Sequence, residues 1–181
     1  KDMDRAAQRL ADAISTGERV TVFGDYDVDG ATSAAILKRY FEMAGGTLEV
    51  YVPDRLREGY GPNAAALERI AANGAKIVVT VDCGIVAHDA LAAGAAAGLE
   101  TIVVDHHAAE PALPAALAVV NPNRLDQEPG LGHLAAVGVA FLLVVALNRT
   151  LRAGGRFAEG RPEPSLLSKS SMYSEPSDPS V

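Results

Sequence analysis

Five short, almost wholly apolar runs separated by segments of helical period leave this chain few folds to choose from. They are Val20-Thr21-Val22-Phe23-Gly24, Leu48-Glu49-Val50-Tyr51-Val52, Ile77-Val78-Val79-Thr80-Val81, Thr101-Ile102-Val103-Val104 and Leu117-Ala118-Val119-Val120. Strands with one wet face alternate between apolar and polar residues, whereas runs this continuous suit strands covered on both faces. Around them the spacing predicts helices over 3–16, 31–44, 63–72, 86–97 and 135–152, with glycine stops at Gly17, Gly45-Gly46, Gly74 and Gly98. Strand alternating with helix defines an α/β fold: a parallel five-stranded sheet with helices on both faces. In such sheets ligands bind beyond the carboxyl ends of the strands, and chemistry is to be sought there.

The 181 residues amount to one ordinary domain with a tail. Residues 1–153 carry the alternating pattern. Beyond Gly154-Gly155 the period is lost, and from Arg161 to Val181 4 Pro and 7 Ser fill 11 of 21 positions, so 154–181 is expected to be a disordered Pro/Ser-rich tail. Hydrophobic residues make up 49% but aromatics only 5%, so the core must be Ala, Val, Leu and Ile. A net charge of −7 excludes a nonspecific polycation for nucleic acid while leaving room for a local basic groove. The single cysteine, Cys83, excludes an internal disulfide framework and a Cys-based zinc site. No apolar run is expected to reach the ~18–20 residues of a bilayer span. The opening Lys1-Asp2-Met3-Asp4 lacks the layout of a signal peptide. A soluble, cytoplasmic, monomeric protein with no membrane partner is the expectation.

The strand ends carry an unusual set of side chains. Asp25-Tyr26-Asp27-Val28-Asp29-Gly30 follows the first strand, Asp82 the third, and Asp105-His106-His107 the fourth. Five carboxylates delivered to one sheet edge repel one another unless a cation neutralises them. Asp oxygens with His nitrogens suit Mn²⁺ or Mg²⁺ better than a thiolate metal, and two such ions form a clamp for attack of water on phosphorus. Simpler readings exist for each part alone. Asp29 could be only a helix N-cap. The Asp-x-Asp-x-Asp-Gly run mimics a calcium loop, but position twelve is Ile36 rather than Glu and a strand precedes it. Cys83 has no evident base and reads as a small buried residue, and His88 and His133 as structural or surface groups. The loop 53–62 reaches the same edge, where Arg55 and Arg57 could hold phosphates and Tyr60 could stack on a base; a solvated turn is the plainer reading. Asn121-Pro122-Asn123-Arg124 is similarly placed and suits a turn equally well.

Taken in order, Asp25-Tyr26-Asp27-Val28-Asp29-Gly30, Val81-Asp82-Cys83-Gly84-Ile85 and Asp105-His106-His107 resemble the motifs of the DHH phosphoesterase superfamily. Within it, Glu58-Gly59-Tyr60-Gly61, Asn121-Pro122-Asn123 and Val137-Gly138-Val139-Ala140-Phe141 are similar to segments of the bacterial 5′→3′ exonucleases specific for single-stranded DNA. The resemblance implies that Asp27, Asp29, Asp82 and His106 bind catalytic Mn²⁺ or Mg²⁺. It makes Asp25 and Asp105 further ligands or their support, and His107 a group that meets the scissile phosphate or orients a ligand. Arg55, Arg57, Tyr60 and Asn123 would contact the strand. The implied reaction is phosphodiester hydrolysis on single-stranded DNA in recombination and repair, alongside other repair proteins. The family's fourth acidic motif has no counterpart after Ser165-Leu166-Leu167, and the resemblance covers only the N-terminal part of such an enzyme. Two alternatives therefore stand beside the first: a catalytically incomplete metal-binding piece or interaction remnant, and a phosphoesterase for short oligonucleotides, cyclic dinucleotides or pyrophosphate.

Overall fold

The computed structural model describes residues 1–157 and 162–164. Its elements in chain order are α1 (Met3–Thr16), β1 (Arg19–Gly24), α2 (Val28–Ala44), β2 (Thr47–Tyr51), α3 (Arg55–Glu58), α4 (Ala64–Ala72), β3 (Ile77–Val81), α5 (His88–Ala96), β4 (Glu100–Val104), β5 (Ala118–Val120) and α6 (Ala136–Ala153). The five expected strands are all present, each within one residue of its sequence bounds. Helix α2 starts three residues earlier than its apolar period because Asp27, not Asp29, is its N-cap. The single turn α3 was not expected; the Asp54 carboxylate starts it by accepting from the Leu56 N–H at 2.9 Å.

The sheet is parallel throughout, in the order β2-β1-β3-β4-β5. Strand side chains alternate between two cores. Val20, Val22, Ile77, Val79, Ile102 and Val104 face α1, α2 and α6, whereas Phe23, Val78, Val103 and Val119 face α4 and α5. Both faces are thus covered, as the continuous apolar strands demand.

The register fixes the position of the chemistry. Gly24 pairs with Val81, and Val81 with Val104, so the next residues, Asp25, Asp82 and Asp105, leave three adjacent strands side by side. One more rung of main-chain bonds holds them there: Asp25 N–H to Val81 O at 3.4 Å, Asp82 N–H to Val104 O at 3.0 Å and Asp105 N–H to Val120 O at 3.1 Å. The strand order reverses between β1 and β3, the switch point where such sheets open a ligand crevice.

Helix α6 corrects one expectation. Its 18 residues have a mean hydropathy of 1.6, long and apolar enough to cross a membrane, yet half of that stretch is buried in the domain. Leu143, Val144, Leu147 and Leu151 lie in the core shared with α1 and α2, so it packs as a central helix of the domain. Past α6, Phe157 packs against the same core, and Glu163 accepts from Asn148 Nδ2 at 2.6 Å. Most of the expected tail, 158–161 and 165–181, lies outside the described residues.

Candidate metal centre

The first turn of the site works by close approach. Helix α2 begins so near the end of β1 that a Cβ on Gly30 would lie 2.4 Å from the Asp25 carbonyl oxygen; only glycine fits. The Asp27 carboxylate accepts from the Gly30 N–H at 2.9 Å, which caps α2 and holds the acid below its usual pKa range. Asp25 is buried, its Oδ1 accepting from the Tyr26 N–H at 2.8 Å, and burial followed by the charge of Asp27 raises its pKa. Asp29 sits in the first turn of α2.

Asp82 follows β3 with φ of +60°, a left-handed conformation that a non-glycine residue rarely adopts. Gly84 completes the turn at φ of +109°, where a Cβ would stand 2.5 Å from Thr80 Oγ1. The result is a carboxylate aimed into the crevice. Asp82 Oδ1 is buried and has no hydrogen-bond partner among the described residues, a costly condition for a carboxylate oxygen. His106 Nε2 lies 3.2 Å from it. The other ring nitrogen of His106, Nδ1, is 3.1 Å from the Leu134 carbonyl oxygen, which can only accept. Nδ1 therefore carries the proton of the neutral ring, in which Nε2 presents a lone pair, the arrangement of a metal-binding imidazole.

Asp105 has a different task. Its fully buried carboxylate accepts from Ile85 N–H at 3.0 Å, His106 N–H at 2.7 Å, His107 N–H at 3.1 Å and His107 Nδ1 at 2.7 Å. With its lone pairs so occupied, it ties the β3–α5 loop to the β4 loop and orients the His107 ring. Burial opposes a charged His107 imidazole, but the Asp105 bond and the charges of Asp105, Asp82 and Asp25 outweigh it and raise the pKa.

Two donor groups result: Asp25, Asp27 and Asp82, and Asp82, His106 and His107, the ligand atoms of each lying within 4.8 Å of one another. Asp82 is common to both. Burial first, then the charge of Asp27, pushes its pKa up to about 7. An orphaned buried oxygen between carboxylates and an imidazole lone pair fits a divalent cation such as Mn²⁺ or Mg²⁺. Of the residues expected from sequence, Asp25, Asp27, Asp82, His106 and His107 come together; Asp29 and Asp105 stand outside both donor groups.

The expected strand-contacting residues separate. Arg55 stacks over the Tyr26 ring at 4.7 Å, and the Tyr60 hydroxyl donates to the Asp82 carbonyl at 3.3 Å with its ring largely exposed, so both border the acidic cluster. Arg57 is exposed, 3.7 Å from Asp54. Asn123 instead points its amide at the His106 carbonyl. Arg124 is buried, donating to Val119 O and Asp2 at 2.7 Å each. Cys83 lies in the core beside α4 and α5, its thiol pushed up by burial, and His88 faces Glu110 at 3.6 Å. Sequence reasoning missed the Leu134 carbonyl and the Ile85 N–H. Both are main-chain groups, and no side-chain pattern advertises them.

A doubly wound sheet with an Asp/His centre at its switch point is the architecture of a phosphoesterase of the DHH type, and the sequence agrees: the DHH family, N-terminal domain, matches residues 19–166, so the chain belongs to that family. Its relatives are more particular. It is 40% identical over 147 residues to the single-stranded-DNA-specific exonuclease RecJ of Bacillus subtilis, covering 81% of this chain and 19% of that protein. Among solved structures it is similar to exonuclease RecJ bound to manganese, with a TM-score of 0.77 at 36% identity over 91% of this chain and 40% of the other. It is also similar to RecJ from Thermus thermophilus in complex with Mn²⁺, with a TM-score of 0.69 at 34% identity over 85% of this chain and 21% of that one. That protein has been solved with Mg²⁺ as well, with a TM-score of 0.52 at 29% identity over 85% of this chain and 17% of that one. The chain spans between 19% and 29% of the length of the curated relatives it matches.

Proposed function

We propose that this chain is the metal-binding part of a RecJ-like exonuclease that hydrolyses phosphodiesters from the 5′ end of single-stranded DNA, in the cytoplasm, in recombination and repair. The observation that carries the reading is the Asp82 carboxylate oxygen, buried without a partner among the described residues where two donor groups meet. Asp25, Asp27 and Asp82 would hold one Mn²⁺ or Mg²⁺, and Asp82, His106 and His107 the other, with Asp29 a further ligand from the first turn of α2. When bound, such a pair supplies a water of depressed pKa as nucleophile and offsets charge on the phosphate oxygens. Asp105 holds His107 by its Nδ1, which leaves Nε2 to face a ligand or the scissile phosphate. Arg55 offers a phosphate contact and Tyr60 a stacking face beside the acidic cluster. Asp54 already balances Arg57 in part, so Arg57 would meet the strand further out.

The test is release of nucleotides from a 5′-labelled single strand by the 181-residue chain in Mn²⁺, with Asp27→Ala as control. Release that the control lacks supports the reading. A folded chain that binds Mn²⁺ and cleaves nothing is a metal-binding piece whose activity needs further domains, and cleavage confined to dinucleotides or pyrophosphate makes it a phosphoesterase for small substrates.

A further inference from the structure

The last main-chain rung between β4 and β5 is the Asp105 N–H to Val120 O bond; beyond it the two chains part. The carbonyls of His106 and His107 then have no strand to pair with, and side chains take over. Asn121 Nδ2 donates to His107 O at 2.9 Å, Asn123 Nδ2 donates to His106 O, and the Leu134 carbonyl accepts from His106 Nδ1 at 3.1 Å. All three groups belong to the single connection between β5 and α6. Asn121 is itself buried, and its Oδ1 accepts from the Asn123 N–H at 2.7 Å, so one amide shapes the turn that delivers the other. Gly132 makes room for the second: a Cβ there would stand 2.5 Å from Asn123 Oδ1.

We infer that Asn121 and Asn123 are positioning residues that continue the β4–β5 ladder with their side-chain amides, setting the direction in which His106 and His107 present their ring nitrogens. Asn123 thus acts through His106 and not through the DNA strand. This rests on the metal-binding reading of the two histidines. A loop that only needed a turn would be served equally by aspartate at 121, which keeps the oxygen for the Asn123 N–H. The clamp is not served by it, because a second oxygen then opposes the His107 carbonyl.

The experiment is Mn²⁺ titration, by calorimetry and by loss of the free-ion EPR signal, of the whole chain and of its Asn121→Asp, Asn123→Asp and His106→Ala variants. Alongside, ring ¹⁵N shifts of His106 in the metal-free protein report which nitrogen is protonated. Each Asn variant should weaken Mn²⁺ binding by ~10–100-fold, the usual effect of removing a group that orients a ligand. Each should also mix the His106 tautomers, while circular dichroism stays that of a folded α/β protein. Wild-type Mn²⁺ affinity and a single Nδ1-protonated tautomer in both Asn variants would overturn the inference. If His106→Ala also binds as wild type does, it is the metal reading that has failed, and the tautomer measurement still decides the positioning role. Should Asn121→Asp not fold, Asn123→Asp and Gly132→Ala, which displaces the Asn123 amide without removing it, give the same readouts.

Discussion

Asp82 Oδ1 and His106 Nε2 stand 3.2 Å apart, and the only proton the neutral imidazole owns is committed at Nδ1 to the Leu134 carbonyl. Two lone-pair atoms at hydrogen-bond distance inside a protein call for a positive charge between or beside them. Without a divalent cation a proton is the nearest substitute, and burial beside Asp27 raises the Asp82 pKa to about 7.

A pH dependence follows from that shift. The folded pKa lies above the 3.8 of an ordinary aspartate, so between these limits the folded state holds a proton that the unfolded state has lost. Relative to the unfolded chain, stability from this group is therefore complete at low pH and falls as pH rises through about 7. In chelator, the melting temperature of the wild type should decline from about pH 4 to about pH 7 more steeply than that of Asp82→Asn, which has no such proton to lose, and the two should run parallel above that range. Mn²⁺ should restore it at the alkaline end. Parallel pH curves for the two proteins would contradict the assignment.

Because Asp82 belongs to both donor groups, its removal should act differently from that of Asp27. Asp82→Ala should abolish tight Mn²⁺ binding altogether, whereas Asp27→Ala should spare the site formed with His106 and His107. The metal-free Asp82→Ala protein should melt no lower than wild type, since a buried, unpartnered carboxylate oxygen facing Asp27 is no longer there. Calorimetric stoichiometry and a thermal melt check both halves. Equal Mn²⁺ losses in the two variants would show that Asp82 is not shared.

Much of this arrangement was legible in the residues themselves. Continuous apolar strands required a doubly covered parallel sheet, and that sheet required ligands at its carboxyl edge, which is where Asp25, Asp82 and Asp105 leave their strands. The division of labour among the acids was not legible. Asp105 looks like Asp82 in sequence, yet four N–H donors surround the first and none reaches Oδ1 of the second. That difference depends on how the chain turns after each strand. Asn123 likewise reads as a polar loop residue free to meet a strand of DNA, until the parting of β4 and β5 turns its amide inward. Helix α6 was read as the most apolar helix of the chain, but hydropathy records apolar residues and not the neighbours that bury half of this stretch in the domain.

Gly30→Ala reverses the usual sign of a substitution in a helix. Replacing glycine by alanine within a helix ordinarily stabilises by about 1 kcal/mol. Here the new methyl would lie 2.4 Å from the Asp25 carbonyl oxygen, 2.7 Å from its carbonyl carbon and 2.7 Å from its nitrogen, all main-chain atoms that cannot swing aside. Overpacking of this kind costs roughly 1–3 kcal/mol, and contacts with main-chain atoms put it at the upper end, so after the helix gain a net loss of up to about 2 kcal/mol is expected, a fall in melting temperature of up to about 4–8 °C. Mn²⁺ binding should weaken with it, since the helix start that carries Asp27 moves away from Asp25. A melting temperature at or above wild type would mean that the two segments are not in contact.

Arg55 and the network beneath it separate positioning from charge. Glu58 accepts from the Tyr51 hydroxyl at 2.8 Å and from Arg69 at 2.8 Å, which fastens α3 to β2 and α4 and holds the loop that carries Arg55 and Tyr60. The Arg69 side chain is exposed, so solvent screens this pair and it contributes little to stability. Arg69→Ala should therefore leave the melt nearly unchanged while weakening the binding of single-stranded DNA, because the loop loses its anchor. Arg55→Ala should weaken DNA binding and lower the slope of log affinity against log salt by about 0.7, the value for one phosphate contact on a single strand. Fluorescence anisotropy on an oligonucleotide across a salt series measures both. A weakened affinity with an unchanged slope in Arg55→Ala would assign its effect to the cation–π contact with Tyr26 rather than to a phosphate.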